Sequence, residues 1–211
     1  MMGEQLSLQP RVDERDWVKQ SEDLAYYFAK PLKMSRWQYL DTLPEYTPQP
    51  EEYQGRFDTL VLGQPPKPEL PLKKMLDIVR LHYNPDVLKM EDWRGDRGGF
   101  RTPDVPYATW LDDGAKRINI KPSVVREGLL EDERAGTGLD GIFLWLSDRG
   151  VVRRHFLDLA GSQVDFSYTP HLFLWFIGPN LDYDWAGDAN PRFGAVIAGR
   201  KIVIRESVVR Q

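Results

Sequence analysis

Carboxylates crowd one stretch of the chain, Asn180-Leu181-Asp182-Tyr183-Asp184-Trp185-Ala186-Gly187-Asp188-Ala189-Asn190. Oxygen ligands at alternate positions suit a hard cation such as Ca²⁺, which makes Asp182, Asp184 and Asp188 the candidate metal ligands. As an EF-hand loop the stretch fails. Trp185 stands where that loop needs glycine, and Pro191 stands where it needs a bidentate Glu. The competing reading is a polar loop whose Asp and Asn side chains bond their own backbone.

The other constellations are thinner. His82, His155 and His171 lie far apart, and no His-Glu-x-x-His occurs, so an imidazole metal site would need three distant segments to converge. Ser162 follows Gly161 and lies near Asp158 and His155, the residue types of a hydrolase triad. The Gly-x-Ser-x-Gly elbow is missing, and triads form in space rather than along the chain. There is no Gly-x-Gly-x-x-Gly and no Gly-Lys-Ser/Thr to cradle a phosphate. Thr137-Gly138-Leu139-Asp140-Gly141 could open a helix onto an anion, but Asp140 opposes that. Arg94, Arg97 and Arg101 alternate with glycines and end beside Phe100, a pattern that could contact RNA through phosphates and stacking. Glu91, Asp92, Asp96 and Asp104 offset that charge. Of the 7 tryptophans, Trp110, Trp145 and Trp175 sit in well-patterned elements and read as core. Trp17 and Trp37 lie on short helices that bury little alone, so they are expected to dock on the main domain or on a partner. Trp185 is the third candidate contact residue.

The elements that must position these residues come in three parts. Asp13 or Asp16 can cap a helix carrying Trp17, Leu24, Tyr27 and Phe28, and Pro31 stops it. Ser35 caps a second helix that Pro44 ends. The Pro-rich, acidic stretch 44–55 reads as an extended strap outside the core. From Thr59, Leu60-Val61-Leu62 is a buried strand closed by Gly63. Leu72 to Leu81 is apolar with mixed spacing, helix or strand. Asp92 to Thr102 is a loop. Tyr107 to Leu111 is a strand, and Pro122 to Leu130 a helix with proline in its first turn. Thr137 caps a helix with Leu139, Ile142, Phe143 and Leu146 on one face. Phe156 to Leu159 and Phe193 to Ile204 read as strands. His171 to Ile177, dense in aromatic and aliphatic residues, reads as a central strand.

Composition bounds the classes. The chain has 211 residues, of which 41% are hydrophobic, with 28 basic and 32 acidic side chains and no cysteine. At this length roughly 70% of the unfolded surface can be buried, enough for one sizeable core. Missing cysteine removes disulfide scaffolds, thiolate metal sites and thiol nucleophiles together. Neither half of the chain is basic, which disfavours a broad nucleic-acid face. No signal-peptide pattern or membrane-length apolar run is present, so a cytoplasmic location away from the membrane is expected.

Several features from Thr59 onward recur together. These are Leu60-Val61-Leu62 before a Pro-rich turn, Pro71-Leu72-x-x-Met75, Pro106-Tyr107 leading to Asp112-x-Gly114, and a helix around Gly141. Gly161-Ser162, the Pro-flanked aromatic strand at 170–176, Pro179-x-Leu181, Trp185-Ala186-Gly187-Asp188, Gly194 and Gly199 follow. In this order the chain resembles an uncharacterised bacterial domain-of-unknown-function family over about residues 59–202. That family often carries cysteines and this chain has none. The resemblance implies one conserved domain and brings no chemistry, cofactor or fold with it.

The sequence therefore predicts an α+β fold: a mixed, mostly antiparallel sheet with a few helices on one side. An N-terminal helical arm and strap (1–55) would precede a single domain (56–211). The reading leans away from catalysis, expects no cofactor, and favours binding or assembly with another protein or a second copy. The alternatives are a hydrolase or metal-assisted enzyme using residues 180–190 with His155 or His171, and an RNA-binding accessory protein using the 94–101 loop.

Overall fold

The computed structural model describes residues 14–89, 100–165 and 167–205. In chain order its elements are α1 (Glu14–Phe28), α2 (Arg36–Leu40), β1 (Thr59–Gly63), α3 (Leu72–Val79) and β2 (His82–Tyr83). Then come β3 (Tyr107–Asp112), α4 (Pro122–Glu127), β4 (Glu133–Ala135), α5 (Gly138–Ser147) and α6 (Val151–Arg154). The chain continues through β5 (Phe156–Asp158), β6 (Tyr168–Trp175), β7 (Gly178–Trp185), β8 (Phe193–Ala195) and β9 (Ile197–Ile204). The fold is α+β, with two sheets where the sequence suggested one. A smaller sheet of 4 strands runs β1-β3-β9-β4, and a larger one of 5 strands runs β2-β7-β6-β5-β8. Most neighbours are antiparallel; β2 with β7 and β5 with β8 are parallel. The sheets share one length of chain, because β8 passes into β9 through Val196. The Val196 N–H donates to the Asp158 carbonyl, and its own carbonyl accepts from Gly136 N–H.

Helix α5 contacts β1 of the smaller sheet and β6 of the larger one. It is apolar on all sides, as a helix buried between layers must be: Leu139, Ile142, Phe143, Leu144, Trp145 and Leu146 are all buried. Thr137 starts it with a reciprocal cap. The Thr137 Oγ1 accepts the Asp140 N–H at 3.2 Å and the Asp140 carboxylate accepts the Thr137 N–H at 2.7 Å. Asp140 also takes the guanidinium of Arg134 at 2.5 Å, and both side chains are almost fully buried. The Arg134 guanidinium stacks over the Phe100 ring at 4.1 Å.

Residues from the expected N-terminal arm join the main core. Trp17, Leu24, Phe28, Tyr39 and Tyr53 belong to the same buried cluster as β1, α3 and α5. Trp17 thus docks on the rest of the chain, meeting Tyr46 edge-to-face at 6.2 Å. Helix α1 also closes the free edge of β1. The Gln20 side chain donates to the Leu60 carbonyl and accepts from the Leu62 N–H, both at 3.0 Å, as a neighbouring strand would. The strap likewise departs from expectation. Tyr53 is fully buried, and its hydroxyl accepts the Lys201 N–H of β9 at 3.0 Å. Gly199 makes room for it: a Cβ there would overlap the Tyr53 ring. Ser35 caps α2 as read, whereas Asp13 lies outside the described residues.

Candidate functional site

Strand alternation builds the site on the larger sheet. On the inner face Leu157, Leu172 and Leu181 are neighbours in register across β5, β6 and β7, all without exposure. One residue along, the next row points to the opposite face. There Asp158, His171 and Asp182 stand side by side across the same strands. The stretch expected to be a polar loop is therefore part of strand β7 as far as Trp185, and turn and loop from Ala186 to Asn190. Its alternating Asn180, Asp182 and Asp184 share one face because strands repeat every two residues.

The outer face carries a ladder of rings. His171 lies 4.8 Å from Phe193 and 5.1 Å from Phe173, ring centre to ring centre. Phe156 meets Phe193 at 5.3 Å and Phe173 at 5.5 Å. Phe173 meets Trp175 at 5.7 Å, and Trp175 meets Phe176 at 5.4 Å. Edge-to-face pairs of this kind add to the stabilisation from burial. The ladder starts buried and ends in solvent. Phe193 is 8% exposed, Trp175 54%, Phe176 96% and Ile177 71%. Strand β6 is indeed central in its sheet. Its far end, however, projects as a hairpin turned by Phe176 and Ile177 between the paired Trp175 and Gly178.

At the other end of the face lies a cleft of about 170 Å³ lined by Asp158, Thr169, Asp184, Trp185, Asp188 and Phe193 among others. Helix α4 flanks it. Arg126 Nε donates to the Ala160 carbonyl at 2.7 Å, and its Nη2 donates to Thr169 Oγ1 at 2.6 Å. Asp158 is 8% exposed and its carboxylate forms no hydrogen bond or ion pair with a described residue. Burial, reinforced by the Asp184 carboxylate and opposed by Arg126, pushes its pKa up to about 7. Burial pushes His171 down to about 4, with Asp182 and Asp184 opposing that fall, and its buried Nδ1 has no hydrogen-bond partner among the described residues. Asp182 is engaged differently: Oδ1 accepts from Asn84 Nδ2 at 3.0 Å and from the Tyr183 N–H at 2.9 Å.

The structure thus brings Asp184, Asp188 and Trp185 together around Asp158. Among the described residues no three His, Asp or Glu side chains gather into a group able to hold a metal ion. Asp158 entered the sequence reading only as a triad candidate. Its one local signal is a lone acid inside the apolar run Phe156 to Ala160. The triad itself does not form. Ser162 Oγ accepts the Gly138 N–H at 2.9 Å, and His155 Nε2 lies 2.7 Å from the Asp113 carbonyl. Trp37 is exposed on α2, far from burial, and Arg101 is exposed as well. Arg94 and Arg97 lie outside the described residues. A larger cleft between α1 and α5 contains Asp113, Asp148 and Arg154, but Arg154 bridges the two acids at 3.4 and 2.7 Å. Among the described residues no helix is long and apolar enough to cross a membrane. Compared with family models, with curated proteins and with solved structures, the chain finds no match.

Proposed function

We propose that this chain is a non-catalytic binding protein that docks another protein on the hairpin end of the larger sheet. One observation carries the reading: Trp175, Phe176 and Ile177 are consecutive, large, apolar and exposed. Contiguous apolar exposure of this kind marks interaction surfaces, and aromatic anchors dominate their energetics. The ladder behind the hairpin end supports it from the buried Phe193 outward, so the anchors stand on a sheet rather than on a loose loop. An aromatic and aliphatic tip carried on a sheet suits an apolar recess on a protein partner, and a second copy is the competing occupant that sedimentation distinguishes.

The test compares the wild-type chain with a Phe176→Ser, Ile177→Ser double variant in quantitative affinity capture. A Tyr26→Ser variant controls for loss of any exposed ring, since Tyr26 is 80% exposed on α1. The reading expects a protein retained by the wild type and the control but lost by the hairpin variant. It also expects a purified pair to lose affinity at least tenfold with that variant. Retention by all three chains, or sedimentation showing that the hairpin variant only abolishes self-association, overturns it.

A further inference from the structure

We propose that the cleft between Asp158 and Asp184 binds an organic cation, an ammonium or guanidinium group. Asp158 is the primary argument. A carboxylate 8% exposed, without hydrogen bond or ion pair among the described residues, is a costly group to bury. Buried charges are ordinarily paired, and here the missing partner faces a cavity instead of protein. Arg126 stands beside the cleft, but its Nε and Nη2 are directed to the Ala160 carbonyl and the Thr169 hydroxyl. His171, the neighbour of Asp158 in register, is held neutral by burial and supplies no positive charge near pH 7.

The surrounding groups specify the cation. Asp184 and Asp188 are exposed and line the same cleft, so a donor bound there is within a lining that holds three carboxylates. An ammonium carries three donors and a guanidinium five, enough to engage such a spread set. Among the described residues these carboxylates do not converge on a single metal-sized point. Phe193 and Trp185 add ring surface to the lining, where a cation and its alkyl stem are both favoured. The roughly 170 Å³ of space suits a head group with a short stem and not a large ligand. The site is separate from the hairpin end. From Thr169 to Trp175 is six residues of β6, about 20 Å at the usual rise per residue.

Calorimetric titration of the full chain at pH 8 tests this with agmatine and n-butylamine, against 1-butanol and Mg²⁺ as controls. Both cations should bind saturably, with 1-butanol at least tenfold weaker than n-butylamine. Asp158→Asn should weaken both amines at least tenfold. Asp184→Asn, an exposed change that does not threaten folding, should weaken them severalfold. The Phe176→Ser, Ile177→Ser variant should bind amines like the wild type, so failure at one site is distinguishable from failure at the other. Thermal unfolding of each variant confirms that a folded chain is being titrated. Binding of neither amine, equal binding of n-butylamine and 1-butanol, unchanged binding by folded Asp158→Asn, or Mg²⁺ displacing agmatine at equal concentration each overturns the proposal.

Discussion

Asp158→Asn should make the protein more stable, and increasingly so as pH rises. Asn keeps the size of the side chain and resembles the protonated acid. In the folded chain the Asp158 pKa stands at about 7, against about 3.9 for Asp in an unfolded chain. Between these values the folded state holds a proton that the unfolded state has released. Raising pH across that window therefore removes stability, and above it the deficit stays constant. Across the whole window, at about 1.4 kcal/mol per pH unit, the deficit reaches roughly 4 kcal/mol. His171 acts in the opposite sense. Its pKa is about 4 folded against about 6.5 unfolded, so the unfolded state holds the extra proton between them. Raising pH across that interval adds stability, up to roughly 3 kcal/mol. The two contributions nearly cancel in the wild type over their shared window. Asp158→Asn removes one and exposes the other. Urea unfolding followed by tryptophan fluorescence from pH 4 to pH 8 should show variant and wild type alike at the acid end. At pH 8 the variant should exceed the wild type by up to roughly 4 kcal/mol. His171→Gln should show the mirror image, with its gain at the acid end and none at pH 8. A difference between Asp158→Asn and wild type that does not grow with pH would falsify the burial argument.

Three further outcomes test the packing. Asp140→Asn strands the buried Arg134 guanidinium and should lower stability by about 3–5 kcal/mol, read as a fall in the urea midpoint. Gly194→Ala should cost at least about 1–3 kcal/mol, because its Cβ would press on the Gly114 carbonyl, a backbone group that cannot swing aside. Deleting residues 1–55 strips Trp17, Phe28, Tyr39 and Tyr53 from the shared core and Gln20 from the edge of β1. The remaining chain should lose cooperative unfolding in calorimetry; a sharp transition near the wild-type temperature would show that the N-terminal segment is dispensable.

Local rules recovered the elements whose signals are local. Ser35 with Gln38 and Thr137 with Asp140 are caps spaced three residues apart, and both form as reciprocal boxes. The 139, 142, 143, 146 spacing marks α5 as a helix, although Leu144 and Trp145 are buried on its other sides as well. Misreadings arose where a side chain's surroundings come from distant chain. Alternating Asn180, Asp182 and Asp184 carry a strand period, and only the pairing with β6 shows that 180–185 is a strand and not part of a loop. Tyr53 sits in a Pro-rich, acidic stretch, and its burial depends on the gap left by Gly199, nearly 150 residues away. The longest apolar run, 172–177, is buried at Leu172 and exposed from Leu174 onward, because a hairpin turns there. Asp158 was hidden for the same reason. Nothing around it in sequence says that His171 and Asp184 will lie beside it.

Position 158 also separates a functional group from an accident of packing. Its inner neighbour Leu157 has no exposure, so the core holds the strand there with Asp158 on the opposite face, 8% exposed. The fold thus holds an acid in a place where a neutral residue would be more stable near neutral pH. Local conflicts of that sort concentrate at working sites, where stability is given up for function. If Asp158 were merely tolerated, Asp158→Asn would gain stability and lose nothing. If it holds a cation, the same substitution gains stability and loses amine binding. The ligand should also act on the wild type alone: agmatine should narrow the stability gap at pH 8 by binding the folded wild type and not the variant. Only a binding role for Asp158 produces both results, the closing of that gap and the tenfold loss in calorimetry.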